Sequence, residues 1–156
     1  MHIRRATTEE AESLWQIRNV AIRHGCQGVY APEVIAAWTP DTMPEGYRSE
    51  VARFPFYVAV DANNQPVASG YLDLGARSIE AIFTLPQWGG KGLATQIIAV
   101  LKEEARQRDF TRLTLSATPN ACTFYQKRGF TVIQEAFHRS AMAKSDLRCF
   151  EMVCEL

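Results

Sequence analysis

The chain has 156 residues, of which 47% are hydrophobic and 22% are charged, and these ordinary globular values exclude a disordered, collagen-like or coiled-coil protein. Seventeen Lys and Arg residues balance 17 Asp and Glu residues, so the formal net charge is zero and a basic nucleic-acid-binding protein is not indicated. One domain over residues 1–156 is the expectation for this length.

Hydrophobic periodicity and turn residues predict a mixed series of strands and helices. In chain order, the predicted elements are a strand over 1–5, helices over 8–24 and 32–38, strands over 56–60, 67–74 and 78–85, a helix over 93–106, a strand over 112–116, a helix over 119–128, and strands over 130–137 and 147–154. The order β-α-α-β-β-β-α-β-α-β-β, with about seven strands and about four flanking helices, indicates an α+β fold with a mixed β-sheet.

Local signals support the helix assignments. Thr7, with Glu10 three residues later, forms a capping-box pattern before the first helix. That helix is indicated by residues at helical spacing, namely Ala11, Leu14, Trp15, Arg18 and Ile22. Thr118 is predicted to cap the helix that Pro119 opens, and Gly129 is predicted to end it.

Several classes of site and location are not indicated by the sequence. The N-terminal residues run directly into charged side chains without a signal-peptide core, and no run of 18 apolar residues occurs, so we expect a cytoplasmic protein with no membrane partner. Four cysteines without CxxC spacing and three scattered histidines predict no metal site, and a chain of this length does not need disulfides.

The most informative segment is a strand, a glycine-rich turn and a helix, centred on Gly89-Gly90-Lys91-Gly92. A helix N-terminus presents unpaired N–H groups that favour phosphate, glycines let the backbone approach an anion, and Lys91 adds a cation. A flexible turn would carry the same glycines. Neither the Walker A string nor the dinucleotide fingerprint fits the segment. A pyrophosphate or similar anion is the ligand that the segment predicts.

This segment resembles the acyl-CoA-binding motif of the GNAT superfamily of acetyl-CoA-dependent N-acetyltransferases, Gln/Arg-x-x-Gly-x-Gly/Ala. Gly92 and Ala94 match the last two conserved positions of that motif, and Lys91 is a common occupant of its site. Gly89 stands where Gln or Arg is usual, which removes a side chain but leaves the backbone donors in place.

A second segment resembles another GNAT motif, the helix A-x-x-F-Y-x-x-x-G-F. The matching positions are Ala121, Phe124, Tyr125, Gly129 and Phe130. The segment from Tyr30 to Pro40 is also similar to a subgroup of small bacterial GNAT proteins with undefined substrates. The element order fits the same family over the whole chain, as a single GNAT-like domain.

The resemblance implies direct transfer of acetyl from acetyl-CoA, as cosubstrate, to a primary amine of a small molecule or peptide. Glu80, on the strand that leads into the loop, is the candidate general base, and a surface glutamate on an edge strand is the alternative. Tyr125 is the candidate acid that protonates the departing thiolate, with a packed aromatic residue as the alternative.

The resemblance also implies a set of contacts to the cofactor, made largely by the main chain. The expected cofactor-binding residues are Ile82, Phe83, Thr84, Trp88, Gly89, Gly90, Lys91, Gly92, Leu93, Ala94, Thr95, Thr118 and Asn120. The strand over 82–84 is expected to separate from its neighbour, so that its peptide groups face the pantetheine arm and one N–H can polarise the thioester carbonyl.

The acceptor site is expected between the first two helices and the later strands. Its candidates are His24, Gln27, Tyr30, Trp38, Tyr71, Asp73 and His138. Aromatic rings with a carboxylate suit an ammonium group, although each residue could equally be packed in the core. Glu80 and Asp73 would make an acidic approach, so a neutral total charge can contain regions of opposite sign. A homodimer is a further expectation from the family.

Two other functions remain open. A non-catalytic domain that senses or binds acyl-CoA would carry the same loop, and the departure at Gly89 favours it. A different phosphate-binding module, such as a nucleotide-binding domain, is the second alternative.

Overall fold

In the computed structural model, which describes residues 2–156, seven strands form one sheet in the order β1-β2-β3-β4-β5-β7-β6. The strands are β1 (His2–Arg5), β2 (Phe56–Val60), β3 (Pro66–Asp73), β4 (Ser78–Thr84), β5 (Arg112–Ala117), β6 (Thr131–Ser140) and β7 (Ser145–Glu155). The helices are α1 (Ala11–Gly25), α2 (Pro32–Trp38), α3 (Tyr47–Arg53), α4 (Leu93–Gln107) and α5 (Cys122–Gln126). The predicted α+β class and mixed sheet are confirmed.

The structure has one helix more than the sequence predicts. Helix α3 (Tyr47–Arg53) lies in a segment for which the sequence pattern predicts no element. It has seven residues and fully buries only Val51, so it shows no repeated apolar stripe that a periodicity argument could detect. The structure therefore has five helices where the sequence predicts about four.

Two predicted helix ends also need correction. The segment after β5 begins with a 3-10 turn over Pro119–Ala121 and continues as the short helix α5, rather than forming one helix over 119–128. Thr118 lies at the N-cap position but its side chain makes no capping hydrogen bond. At the first helix, the predicted pattern begins with a 3-10 turn, Thr8–Glu10, where the Thr7 N–H donates to Glu10 Oε1 at 2.9 Å.

Helices cover both faces of the sheet because alternate strand residues point to opposite sides. On one face, α4 buries Ile97 and Leu101 against a core that includes Leu72 of β3. On the other face, α1 buries Leu14 in a second cluster that includes Val58 of β2. Within residues 2–156, no helix is both long and apolar enough to cross a membrane.

The feature that positions the functional site is the separation of β4 from β5. These two strands run parallel and pair only at Ser78 with Thr114. A bulge lies opposite the β3 segment between Ser69 and Tyr71, and Ala81 takes a left-handed backbone conformation with φ of 57°. Such a bulge bends the strand, and the bend accompanies the divergence of β4 from β5.

Candidate active site

A cavity of about 390 Å³ lies where β4 and β5 diverge, between helix α1 and the start of α5. Its lining residues are Arg18, Ala21, Ile22, Gly25, Cys26, Trp38, Glu80, Ala81, Ile82, Phe83, Thr84, Ser116, Ala117, Thr118, Asn120, Ala121, Tyr125 and His138. We call this space the central cavity. It brings together the predicted base, the predicted acid, the β4 segment over 82–84, and both Thr118 and Asn120.

Glu80 is held in the wall of the central cavity by the register of β4, where it pairs with Tyr71 of β3. Burial raises the pKa of the Glu80 carboxyl above its ordinary value. The Ser78 hydroxyl offsets part of that rise, the negative charge of Asp73 adds to it, and His138 opposes it. A carboxylate with a raised pKa that faces a cavity has the properties of a general base.

Glu80 also reaches a second cavity of about 370 Å³ on the same face of the sheet. Its polar lining residues are Asp73, Ser78, Glu80, Thr114, Ser116 and Glu151. The strand pairings explain this grouping, since Asp73 lies opposite Ser78 and Ser116 lies opposite Glu151. The approach to Glu80 from this side is therefore acidic.

The Tyr125 ring is packed between two other aromatic rings. The ring lies edge-on to Phe124 at 5.3 Å and to Phe130 at 6.0 Å, and the residue is 9% exposed. Tyr125 lines the central cavity. Burial, followed by the charge of Glu80, raises the pKa of Tyr125, so its hydroxyl remains a proton donor at neutral pH.

The β4 backbone presents unpaired peptide groups to the same space. After Ser78, no residue of β4 pairs with β5, so the peptide groups on that edge have no strand partner. Buried peptide groups need hydrogen-bond partners. An extended ligand with amide groups can supply them by lying along residues 82–84.

A groove of about 330 Å³ follows at the start of α4. Its lining residues are Thr84, Trp88, Gly89, Gly90, Gly92, Leu93, Ala94, Thr95, Phe124 and Arg128. Gly90 and Gly92 have φ values of 73° and 78°, a conformation that residues with side chains rarely adopt. The first N–H groups of the 15-residue helix α4 are free to bind an anion. We call this space the α4 groove.

The cation in the α4 groove is one that the sequence analysis missed. Arg128 donates from Nε to Thr95 Oγ1 at 2.8 Å, and its guanidinium lies 4.4 Å from the Phe124 ring centroid. Lys102 Nζ donates to the Arg128 carbonyl at 2.6 Å, which fixes the backbone. Lys91 is exposed and does not line the groove. Arg128 falls on an unspecified position of the second motif, so only its contact with Thr95, at the start of α4, identifies it.

The predicted acceptor residues lie in different places. Trp38 and His138 line the central cavity, whereas Gln27 and Tyr30 line a separate hollow of about 480 Å³. Tyr30 donates from its hydroxyl to the Arg148 carbonyl at 2.6 Å.

The other acceptor candidates have different surroundings. Asp73 lies in the second cavity, where Oδ1 accepts the amides of Gly75 and Ala76 at 3.0 Å each. Tyr71 stacks on Phe54 and on Phe56, and His24 is exposed near the end of α1. The structure therefore brings two of the seven candidates to the central cavity.

Within residues 2–156, no group of three or more His, Cys, Asp or Glu side chains is placed to hold a metal ion. All four cysteines are free.

Comparison with known proteins identifies the family. The model of the acetyltransferase (GNAT) domain matches residues 26–156. A GCN5-related N-acetyltransferase from Rhodopseudomonas palustris superposes with a TM-score of 0.89 at 23% identity, over 99% of this chain and 95% of that one.

Two further structures are similar to the chain. The PaiA N-acetyltransferase of Thermoplasma acidophilum, solved with coenzyme A, gives a TM-score of 0.78 at 19% identity, over 99% of this chain and 98% of that one. YncA of Salmonella typhimurium, solved with its cofactor acetyl-CoA, gives a TM-score of 0.74 at 20% identity, over 100% of this chain and 94% of that one. No curated protein matches the sequence. These structures share the fold, and the match of the domain model over most of the sequence shows that the chain belongs to the GNAT acetyltransferase family.

Proposed function

We propose that this protein transfers the acetyl group of acetyl-CoA directly to a primary amine of a small molecule or peptide. The observation that carries the proposal is the convergence of Glu80, Tyr125 and the unpaired edge of β4 on one cavity. Thr84 lines both this cavity and the α4 groove, so one extended cofactor can occupy both.

The two spaces match the two ends of acetyl-CoA. The pyrophosphate would bind the free N–H groups of α4, with Gly90 and Gly92 allowing close approach. The pantetheine arm would pair with the peptide groups of β4 and bring the thioester to Tyr125. The PaiA and YncA structures contain coenzyme A and acetyl-CoA, which supports this cofactor for the shared fold.

The remaining cofactor contacts predicted from the sequence are part of the proposal. Backbone groups of Gly89, Leu93 and Ala94 would lie beside the phosphates, with Trp88 in the groove wall. Lys91 would contribute positive charge from the exposed side of the turn. Thr118 and Asn120 would contact the cofactor at its thioester end, since both line the central cavity.

The acceptor amine must lose a proton before it attacks. An alkylammonium has a pKa of about 10.4, so at pH 7 only about one molecule in a few thousand is neutral. The Glu80 carboxylate would take that proton, and the neutral nitrogen would then bond to the thioester carbon. Tyr125 would donate its hydroxyl proton to sulfur as the carbon–sulfur bond breaks, and the tyrosinate would take the second proton that nitrogen loses, which gives the amide and free coenzyme A. A β4 N–H can stabilise the transient oxyanion.

A turnover screen tests this function against its alternatives. The purified chain is incubated with acetyl-CoA and a panel of polyamines, aminoglycosides, amino acids and peptides, and free thiol is measured. Amine-dependent thiol release is expected. Tight acetyl-CoA binding by calorimetry without release from any amine would instead favour the acyl-CoA sensor. Tighter binding of ATP or NAD than of acetyl-CoA would favour a nucleotide module.

Arg128 provides a prediction about cofactor affinity. Changing Arg128 to Gln should raise the Kd for coenzyme A about 10-fold, because a charge-assisted contact to phosphate is lost. Pantetheine, which has no pyrophosphate, should bind both forms equally, and isothermal calorimetry measures each Kd.

Lys127→Gln is the matched control, because Lys127 is the adjacent exposed cation and does not line the groove. A Kd for coenzyme A that is unchanged in Arg128→Gln, or raised equally by Lys127→Gln, would remove Arg128 from the phosphate site.

A further inference from the structure

Arg18 is a charged residue on the inward-facing side of α1. Its guanidinium carbon lies 4.3 Å from the Trp15 ring centroid and 5.8 Å from that of Trp38. Two indole rings therefore hold the cation in the wall of the central cavity. The same residue occupies the helical stripe that contains Leu14 and Ile22, which are both buried.

Among residues 2–156, no carboxylate pairs with the guanidinium. Nη1 donates to Asn19 Oδ1 at 2.7 Å and to the Trp38 carbonyl at 2.9 Å, while Nη2 contacts only Met142 Sδ at 3.9 Å. Within residues 2–156, no carboxylate forms an ion pair with Arg18, whereas Arg23 of the same helix pairs with Asp41 at 3.0 Å. The Nε group and Nη2 thus keep donors that no oxygen or nitrogen acceptor uses.

Arg18 remains charged despite its surroundings. Burial lowers the pKa of Arg18 to about 10, which is still three units above neutral pH. A partly buried charge without a counter-ion is unfavourable unless a ligand supplies one. A carboxylate is the group that matches the forked donors of a guanidinium.

We propose that Arg18 binds a carboxylate of the acceptor, so that the substrate class is a small amine that also carries an acid, as amino acids do. The inference rests on the proposed acetyl transfer. Glu80 and Arg18 line the same cavity, so one can receive the ammonium while the other holds the carboxylate. The cavity of about 390 Å³ must also admit the thioester end of the cofactor, which limits the acceptor to a small molecule.

The phosphates of the cofactor are not the anion that Arg18 meets. They would occupy the α4 groove, which has its own cation in Arg128. Thr84 is the single lining residue that the groove shares with the central cavity, and Arg18 lines only the latter. The cofactor and acceptor would therefore use separate arginines.

Paired acceptors test the proposal. Each amino acid of a panel is assayed beside its own carboxamide, which keeps the amine and removes the carboxylate charge. We expect kcat/KM for the acid to exceed that for the amide by about 10- to 100-fold in the wild-type protein. In Arg18→Gln the ratio should fall to about 1, and Arg18→Lys should retain part of it. Arg23→Gln, on the same helix, should keep the wild-type ratio.

Several results would overturn the proposal. These are equal use of acid and amide by the wild-type protein, a ratio that survives in Arg18→Gln, or a weakened Kd for coenzyme A in that variant. If Arg18→Gln does not fold, the acid-to-amide ratio of kcat/KM in the wild-type protein and in Arg18→Lys decides between the outcomes. If no amine releases thiol, acetyl transfer itself fails as the function. Calorimetry then tests Arg18. An N-acetyl amino acid that binds the coenzyme A complex at least 10-fold tighter than its amide supports the proposal, and equal binding contradicts it.

Discussion

Replacing Glu80 with Gln is expected to lower kcat/KM by about 10³-fold at pH 7 and to change the shape of its pH profile. The wild-type enzyme would use the ionised carboxylate to deprotonate a bound ammonium substrate. The variant keeps the size and polarity of the side chain but has no base. The variant can use only the amine molecules that are already neutral in solution. Because these are about one in a few thousand at pH 7, a loss of this size follows.

The two profiles should differ in slope as well as height. In the wild-type protein, kcat/KM rises with pH until Glu80 is ionised, at a pKa that burial holds above the ordinary carboxyl value, and then levels off. In Glu80→Gln, kcat/KM should continue to rise about tenfold per pH unit toward the amine pKa of about 10.4. The defect therefore shrinks as the pH increases. Initial rates of thiol release between pH 5 and 10 measure both curves.

Asp73→Asn is the matched control for this effect. The charge of Asp73 contributes to the raised pKa of Glu80, so its removal should move the acidic limb to lower pH, while the plateau should fall far less than in Glu80→Gln because the base remains. Asn retains an Oδ1 that can accept the Gly75 and Ala76 amides, so the turn should persist. Parallel profiles for wild type and Glu80→Gln would show that Glu80 is not the base.

Local sequence pattern is sufficient to predict two of the residues that line the central cavity. The strand before the glycine-rich turn located Glu80, and the second motif located Tyr125, because both positions are fixed by neighbours close in the chain. The divergence of β4 from β5 was expected only through the family resemblance. β4 and β5 pair only at Ser78 with Thr114, and helix α4 separates these strands in the chain. No local sequence pattern therefore predicts where their pairing ends.

Arg18 and Arg128 were missed for the same physical reason. Arg18 contacts Trp38, on another helix, and Arg128 hydrogen-bonds Thr95, at the start of α4, and these contacts place them at their cavities. Tyr71 shows the converse case, since the family resemblance suggested it for the acceptor site, whereas its ring stacks on Phe54 and Phe56. Contacts between distant segments decide which charged and aromatic residues reach a cavity.

The zero net charge of the chain conceals two arrangements of opposite sign. Arg128 and the N-terminus of α4 make the groove electropositive, while Asp73, Glu80 and Glu151 make the second cavity acidic. A cofactor rich in phosphate and an acceptor that carries an ammonium would therefore be drawn to different sides of the same cleft. Composition excluded a general polyanion binder, and the fold supplies the local polarity.

Replacing Tyr125 with Phe is expected to lower kcat about 100-fold and to leave the Kd for coenzyme A within about twofold of the wild-type value. The substitution removes one oxygen and keeps the ring that packs against Phe124 and Phe130, so the fold and the cofactor site should survive. Thiol release gives kcat, and calorimetry gives Kd.

The pH dependence of this loss distinguishes proton donation from packing. A thiol of pKa about 8.5 needs a proton below that pH and can leave as the thiolate above it. The defect of Tyr125→Phe should therefore fade above pH 8.5, whereas a packing defect would persist at every pH. Tyr57→Phe is the control, because that hydroxyl donates to Glu104 at 2.7 Å and lies outside the central cavity. Wild-type kcat in Tyr125→Phe, or a loss that does not change with pH, would assign the leaving-group proton to another donor.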